Sequence, residues 1–243
     1  MGYLNSLQNK YPFDILNLFM IKKIDIAGIQ LDNYTVREAI MKSEKMLSNN
    51  EFNTIEEVGL TTLKFAEQDE RVKNIITNLD MTVISDVGIL RAADKLSMQR
   101  QHEIEDRDFL YELLKRIERN HKNVYIIGSS EGVLDKVEGY IKEEFSRIDI
   151  SGDTIIEPNW NDVESVVNEI NSTGVDVIIS VLPSPMQELF LTECREMLSA
   201  NLWYGVSVES FAARKRSLRQ WLKHIIEIHK LTLHINNYKE REK

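Results

Sequence analysis

The chain predicts an α/β fold in which a mostly parallel sheet is flanked by helices and followed by a C-terminal helical appendage. Three observations support this. Short apolar runs alternate with longer amphipathic ones, the pattern of a sheet covered by helices. The runs Val124–Ile127 and Val175–Val181 (VDVIISV) are almost wholly apolar, as strands covered on both faces must be. Each leads through a turn into a helical pattern, at Gly128–Gly132 and at Leu182–Glu188.

Taken in order, residues 1–20 have no clear period and form an N-terminal arm or helix. Ile21–Ile29 (IKKIDIAGI) alternates as a strand does, and Gln30–Tyr34 supplies a turn. Thr35 then precedes VREAIMKSEKML, with Glu38 three residues on, which is a capping box. Ile55–Leu60 reads as a strand, followed by one helix to about Asn78, and Met81–Ile84 as a strand ending at Ser85-Asp86. Asp108–Arg119, Val133–Phe145, Val163–Ser172 and Glu188–Ser199 read as helices. Ile148–Ile150 and Thr154–Ile156 read as short neighbouring strands, and Trp203–Val208 as the last strand. With no Gly/Ser- or Pro-rich linker and no repeat, the expected organisation is an arm over 1–20, an α/β domain over 21–213 and a basic amphipathic helix over 214–243.

At 243 residues with 42% hydrophobic content, the chain can bury a core without staples. A net charge of −9 argues against nucleic acid as a partner, which calls for a basic face. The one cysteine, Cys194, excludes an intramolecular disulfide, fits a reducing compartment and reads as packing. No run approaches the about 18 apolar residues of a membrane span, and the N-terminus lacks the order of a signal peptide. The expected location is the cytoplasm, peripheral to the inner face of the membrane if the basic C-terminal helix docks there. His224, His229 and His234 recur every five residues, which does not gather them on one helix face, so no metal site is expected.

Parallel strands place their carboxyl ends on one sheet edge, where ligands collect. Three segments meet that description. Asp86 ends a strand, either as a general base or as the cap of the helix beginning at Val87. Gly128, Ser129 and Ser130 form a turn whose glycines allow close backbone approach, without a G-x-G-x-x-G or Walker pattern. At Pro185, Gln187 and Glu188 a helix starts over the crevice, where its first N–H groups can face an anion or where Glu188 merely complements the helix dipole.

The order of these segments resembles the WecG/TagA/CpsF family of bacterial glycosyltransferases, from Ile24 to about Lys215. The blocks that carry the resemblance are Ile26–Thr35 (IAGIQLDNYT), Ile84–Gly88 (ISDVG), Val124–Val133 (VYIIGSSEGV), Asn168–Ser172 (NEINS), Ser184–Glu188 (SPMQE) and Trp203–Ser207 (WYGVS). The resemblance implies a Rossmann-like fold without a cofactor. It also implies inverting, metal-independent transfer of an N-acetylhexosamine-type sugar from a UDP-sugar to a polyprenyl-diphosphate-linked acceptor. Asp86 then matches the base. Gly128, Ser129, Ser130, Pro185, Gln187, Glu188, Gly205 and Ser207 match substrate-binding positions, and Arg107 and Arg214 are candidates for the diphosphate.

The chain departs from the family pattern at several polar positions. Val58 and Leu60 stand where the family has a Thr-x-Asn pair, Val87 replaces a glycine, Glu103 an arginine and Met186 a lysine. These losses keep open a second reading, a degenerate member that serves as a binding or scaffolding subunit beside an active paralogue or as a homo-oligomer. The segment 214–243 aligns an apolar stripe (Trp221, Leu222, Ile225, Ile226, Ile228) with Arg214, Lys215, Arg216, Arg219, Lys223 and Lys230. It reads either as a membrane-surface contact or as an ordinary packed terminal helix.

Overall fold

The computed structural model describes residues 22–211. The N-terminal arm, the basic C-terminal helix and Arg214 lie outside them. The first described element is an antiparallel hairpin, β1 (Lys23–Ile26) and β2 (Ile29–Asp32), in which Ile26 faces Ile29. Its turn is Ala27–Gly28, with φ of +54° and +82°, and Asp25 Oδ1 accepts the Gly28 N–H at 2.9 Å. The turn therefore falls inside the run expected to be a single strand, and Gln30–Asp32 is strand. An Ala-Gly pair is a weaker hairpin signal than Asn-Gly or Asp-Gly.

Helix α1 (Val36–Met46) begins at the expected capping box, with the Thr35 hydroxyl accepting from the Glu38 N–H and Glu38 accepting from the Thr35 N–H. Strand β3 (Asn53–Val58) leads into α2 (Leu60–Gln68) and α3 (Glu70–Thr77). The single helix expected there is broken at Asp69, whose carboxylate caps α3 by accepting the Arg71 N–H at 2.8 Å. Then follow β4 (Met81–Ile84), α4 (Val87–Ala92), α5 (Met98–Glu105), α6 (Asp108–Arg119), β5 (Val124–Gly128), α7 (Glu131–Glu144), β6 (Ile150–Ile155), α8 (Val163–Ser172), β7 (Val177–Ser180), α9 (Met186–Cys194) and β8 (Leu202–Gly205), with a 3₁₀ turn at Val208–Phe211. The two short strands expected between 148 and 156 are the one strand β6. Helix α9 starts and ends earlier than expected, and β8 stops at Gly205.

Strands β3 to β8 form a six-stranded parallel sheet in the order β4-β3-β8-β7-β5-β6, and both faces are covered. One core packs α2, α3, α4, α8, α9 and the hairpin against Val58, Tyr125, Ile127, Ile178 and Trp203. The other packs α1, α6 and α7 against Ile55, Ile126, Val177, Ile179 and Tyr204. Phe190 anchors α9 in the first core, stacked on Trp203 with ring centroids 6.4 Å apart and edge-on to Trp160 at 5.7 Å. Cys194 is fully buried behind it, and burial pushes its thiol up to about 12, which fits packing rather than nucleophilic chemistry.

This topology sets where a ligand can sit. β5 feeds α7 on one face and runs outward to β6, whereas β7 feeds α9 on the other face and runs inward to β8. Two connections leaving adjacent strands in opposite directions open a crevice at their carboxyl ends.

Candidate active site

Along the carboxyl edge the sheet order places Asp86, then Val58-Gly59, then Gly205–Ser207, then Leu182–Pro185, then Gly128–Ser130. Four strand spacings separate the first from the last, about 19 Å at about 4.8 Å each. Asp86 and the glycine turn therefore lie four strands apart along the carboxyl edge, and the Pro185–Glu188 corner lies between them.

Asp86 is half-buried, and its Oδ1 accepts the Gly88 N–H at 2.7 Å, so the cap reading of this residue is met in the structure. The geometry still leaves the carboxylate at a strand end. Gly128 packs under α7, where an added Cβ would lie 2.7 Å from Leu134 Cδ2. Beyond it Ser129 is half-buried and Ser130 exposed, so both present polar atoms at the α7 N-terminus.

The corner that begins α9 is built differently from the expected open helix start. Pro185 follows a cis peptide bond. Gln187 is 5% exposed and Glu188 fully buried, so both point into the protein rather than out of the crevice wall. The Ser184 hydroxyl donates to Glu188 Oε1 at 2.6 Å. The Gln187 side chain lies across Gly205 on β8, where a Cβ would come within 2.7 Å of its Nε2, 2.9 Å of its Cδ and 2.9 Å of Glu56 Cγ. Gly205 is thus needed for the space its missing side chain leaves. Gly205→Ala is expected to destabilise the fold by about 1–3 kcal/mol, as overpacking of a closed core does, and to displace Gln187. Urea unfolding of the variant checks this, and Gly132→Ala, where an added Cβ meets nothing within 4 Å, is the control.

The residue that sequence reasoning missed is Glu56. In-register pairing puts Thr82, Glu56, Gly205, Ser180 and Ile127 in one row on one face of the sheet. Glu56 is fully buried there. Burial comes first, followed by the adjacent Glu188 carboxylate and a proton-mediated bond to it, in pushing the Glu56 carboxyl well above the usual carboxylate range, and the Gln187 amide opposes the shift. With carboxylates counted as acceptors alone, Glu56 Oε1 and Oε2, Glu188 Oε2, Gln187 Oε1 and Ser180 Oγ are buried without hydrogen-bond partners among the described residues. A signal was present in NTIEEV: two adjacent acids in a strand whose neighbours are buried on both faces are out of place.

The second acid, Glu57, faces the other way. It accepts from the Tyr204 hydroxyl at 2.5 Å and from Ser210 Oγ at 2.9 Å, while Arg107 donates to the Ser210 carbonyl at 3.0 Å. Burial raises the Glu57 carboxyl more than these two bonds and the Arg107 charge lower it. Arg107 caps α6 from the left-handed region, with φ of +55°, on the face opposite Gln187. Ser207 is exposed and its hydroxyl bonds to Glu209, away from the Gln187 cluster. Glu103, which stands where the family has an arginine, is tied into the scaffold, where it pairs with Arg100 at 2.7 Å and accepts the Val36 N–H at 3.2 Å. Val58 and Leu60 are buried in the first core, so the lost Thr-x-Asn pair is replaced by packing. Among the described residues no three His, Cys, Asp or Glu side chains gather as a metal site, and no helix is long and apolar enough to cross a membrane.

Comparison with known proteins places this architecture. The model of the glycosyl transferase WecG/TagA/CpsF family matches residues 24–225. Similar curated proteins include the N-acetylglucosaminyldiphosphoundecaprenol N-acetyl-beta-D-mannosaminyltransferases of Staphylococcus aureus strains NCTC 8325 / PS 47 and MRSA252. Each is 22% identical over 200 residues, covering 80% of this chain and 77% of the relative. A match that runs from the hairpin through every strand of the parallel sheet means that the chain belongs to the WecG/TagA/CpsF family of glycosyltransferases.

Proposed function

We propose that the protein transfers an N-acetylhexosamine-type sugar from a UDP-sugar to a polyprenyl-diphosphate-linked acceptor in cell-surface polysaccharide synthesis, with inversion at the anomeric carbon. The observation that carries this reading is the Pro185–Glu188 corner, held across Gly205 beside the β5/β7 crevice. The names of the relatives, which describe mannosaminyl transfer to a diphosphoundecaprenol-linked sugar, support it. Asp86 accepts the proton of the acceptor hydroxyl as that oxygen attacks the anomeric carbon. The bond from that carbon to the diphosphate oxygen breaks, and UDP leaves. Gly128, Ser129 and Ser130 hold the nucleoside end of the donor, about 19 Å from Asp86, so that the diphosphate lies between them beside the Pro185–Glu188 corner. Pro185, Gln187, Glu188 and Gly205 form the rest of the substrate wall, and Ser207 lies at its exposed rim. The cation partners of the diphosphate are Arg107, once released from Ser210, and Arg214. The basic segment 214–243 brings the enzyme to the inner membrane surface, where the lipid-linked acceptor resides.

Titration calorimetry with UDP and UDP-N-acetylhexosamines tests this. Saturable binding is expected, with Gln187→Ala weakening it about tenfold, the equivalent of about 1.4 kcal/mol. Absence of binding to any nucleotide at millimolar concentration refutes the enzyme reading. That result favours the second one, a scaffolding subunit beside an active paralogue, for which the apolar burial of Val58 and Leu60 speaks.

A further inference from the structure

We propose that Glu56 is a positioning residue of the sugar-nucleotide site: its carboxyl bonds to Glu188 and packs against the Gln187 side-chain amide, locking both residues in the pose that shapes the crevice wall at the start of α9. The inference rests on the reading of the Pro185–Glu188 corner as that site. It begins from the geometry of a crowded point. Above Gly205, Gln187 Nε2 and Glu56 Cγ both approach within 3 Å of one empty Cβ position, so the two side chains fill the same small space from neighbouring elements.

The chemistry of the donors and acceptors then leaves few arrangements. Glu188 Oε1 is supplied by Ser184, but its Oε2 and both oxygens of Glu56 are buried without donors among the described residues. A buried polar group left unpaired is costly, and two facing carboxylates that both ionise are costlier still. One proton resolves the clash of the two carboxylates, because Glu56 as a carboxylic acid donates to Glu188, and it leaves the Glu56 carbonyl oxygen facing the crowded Gln187 amide. Gln187 Oε1 is buried at this corner without a donor among the described residues, an acceptor that a sugar hydroxyl, an acetamido N–H or the uracil imide entering there would satisfy. The titratable groups near Glu56 are Glu188 on α9, which faces it directly, and Asp32 on β2. Asp32 is taken up by the Thr82 N–H at 2.9 Å and by Lys23 at 3.3 Å. No lysine, arginine or histidine of the described residues bonds to Glu56 or Glu188.

The experiment compares UDP and UDP-N-acetylhexosamine binding by the full-length wild type, Glu56→Gln and Glu56→Leu across pH 6 to 9, with thermal unfolding run alongside. Glu56→Gln keeps a donor for Glu188 and an acceptor for Gln187, so it is expected to bind within about threefold of wild type and to keep that affinity at high pH. Any fall of wild-type affinity with rising pH should be absent from Glu56→Gln, and Glu56→Leu should bind at least tenfold more weakly at every pH. A purely structural role moves unfolding temperature without giving Gln this rescue or removing the alkaline loss. Wild-type-like binding by Glu56→Leu, or an alkaline loss shared by Glu56→Gln and wild type, overturns the proposal while leaving the substrate reading intact. Failure of the wild type itself to bind any nucleotide overturns both. If Glu56→Leu does not fold, the Glu56→Gln pH profile decides alone.

Discussion

Asp86→Asn is expected to lower turnover by about 10²–10⁴-fold, the range in which a positioned general base contributes, while leaving the fold intact. The structure gives this substitution its discriminating power. Asp86 caps α4 by accepting the Gly88 N–H, and Asn is as good an N-cap as Asp, so the cap survives while the proton acceptor is lost. Were Asp86 only a cap, Asn would be silent in both stability and activity, and Ala would lose about 1 kcal/mol of stability with little effect on rate. The measurement is single-turnover transfer to a lipid-linked acceptor beside urea unfolding of the same two variants. Equal rates for wild type and Asp86→Asn would remove Asp86 from the chemistry. A large loss of rate at unchanged stability and unchanged UDP affinity would place the residue at the acceptor hydroxyl.

Most of the scaffold was legible because its signals are local. The capping box at Thr35, the strand Met81–Ile84 and the helices Asp108–Arg119 and Val163–Ser172 fall where the sequence puts them, since each is set by a cap, a turn or a clear 3.6-residue period. The hairpin turn and the break at Asp69 were not legible, because Ala27-Gly28 is a weak turn signal and Asp69 has helical residues on both sides. For the site, strand ends could be found from the pattern, but strand order could not. It took the order β4-β3-β8-β7-β5-β6 to put Glu56 next to Gly205 and Gly205 next to Ser180. Residues 56, 180, 187 and 205 are remote in sequence, and no periodicity links them. The same order puts Arg107 and Gln187 on opposite faces of the sheet, so the two can approach one diphosphate only across its carboxyl edge. The exchange of a Thr-x-Asn pair for Val58 and Leu60 was visible in the sequence, but its compensation was not. Polar character absent from the end of β3 reappears one turn of the pleat earlier, at Glu56, inside the sheet.

Glu56→Gln is also expected to change how stability depends on pH, and by more than a surface substitution could. In the folded protein burial and Glu188 hold the Glu56 carboxyl well above the usual carboxylate range, whereas in the unfolded chain it titrates near the ordinary glutamate value of about 4.3. Below that value both states carry the proton and the group makes its full contribution. As pH rises, the unfolded state sheds the proton while the folded state retains it, so protons bound are fewer in the unfolded state and stability falls. The slope from this group alone approaches about 1.4 kcal/mol per pH unit. It ends once pH passes the raised folded value, where both states are ionised and the contribution has been lost. Glutamine has no proton to lose, so Glu56→Gln should match wild type near pH 4 and overtake it progressively through neutral pH. Urea midpoints at unit intervals from pH 4 to 9 measure the divergence. Parallel curves for the two proteins would mean that Glu56 is ionised in the fold at neutral pH, with two buried carboxylates facing each other and something other than a proton between them.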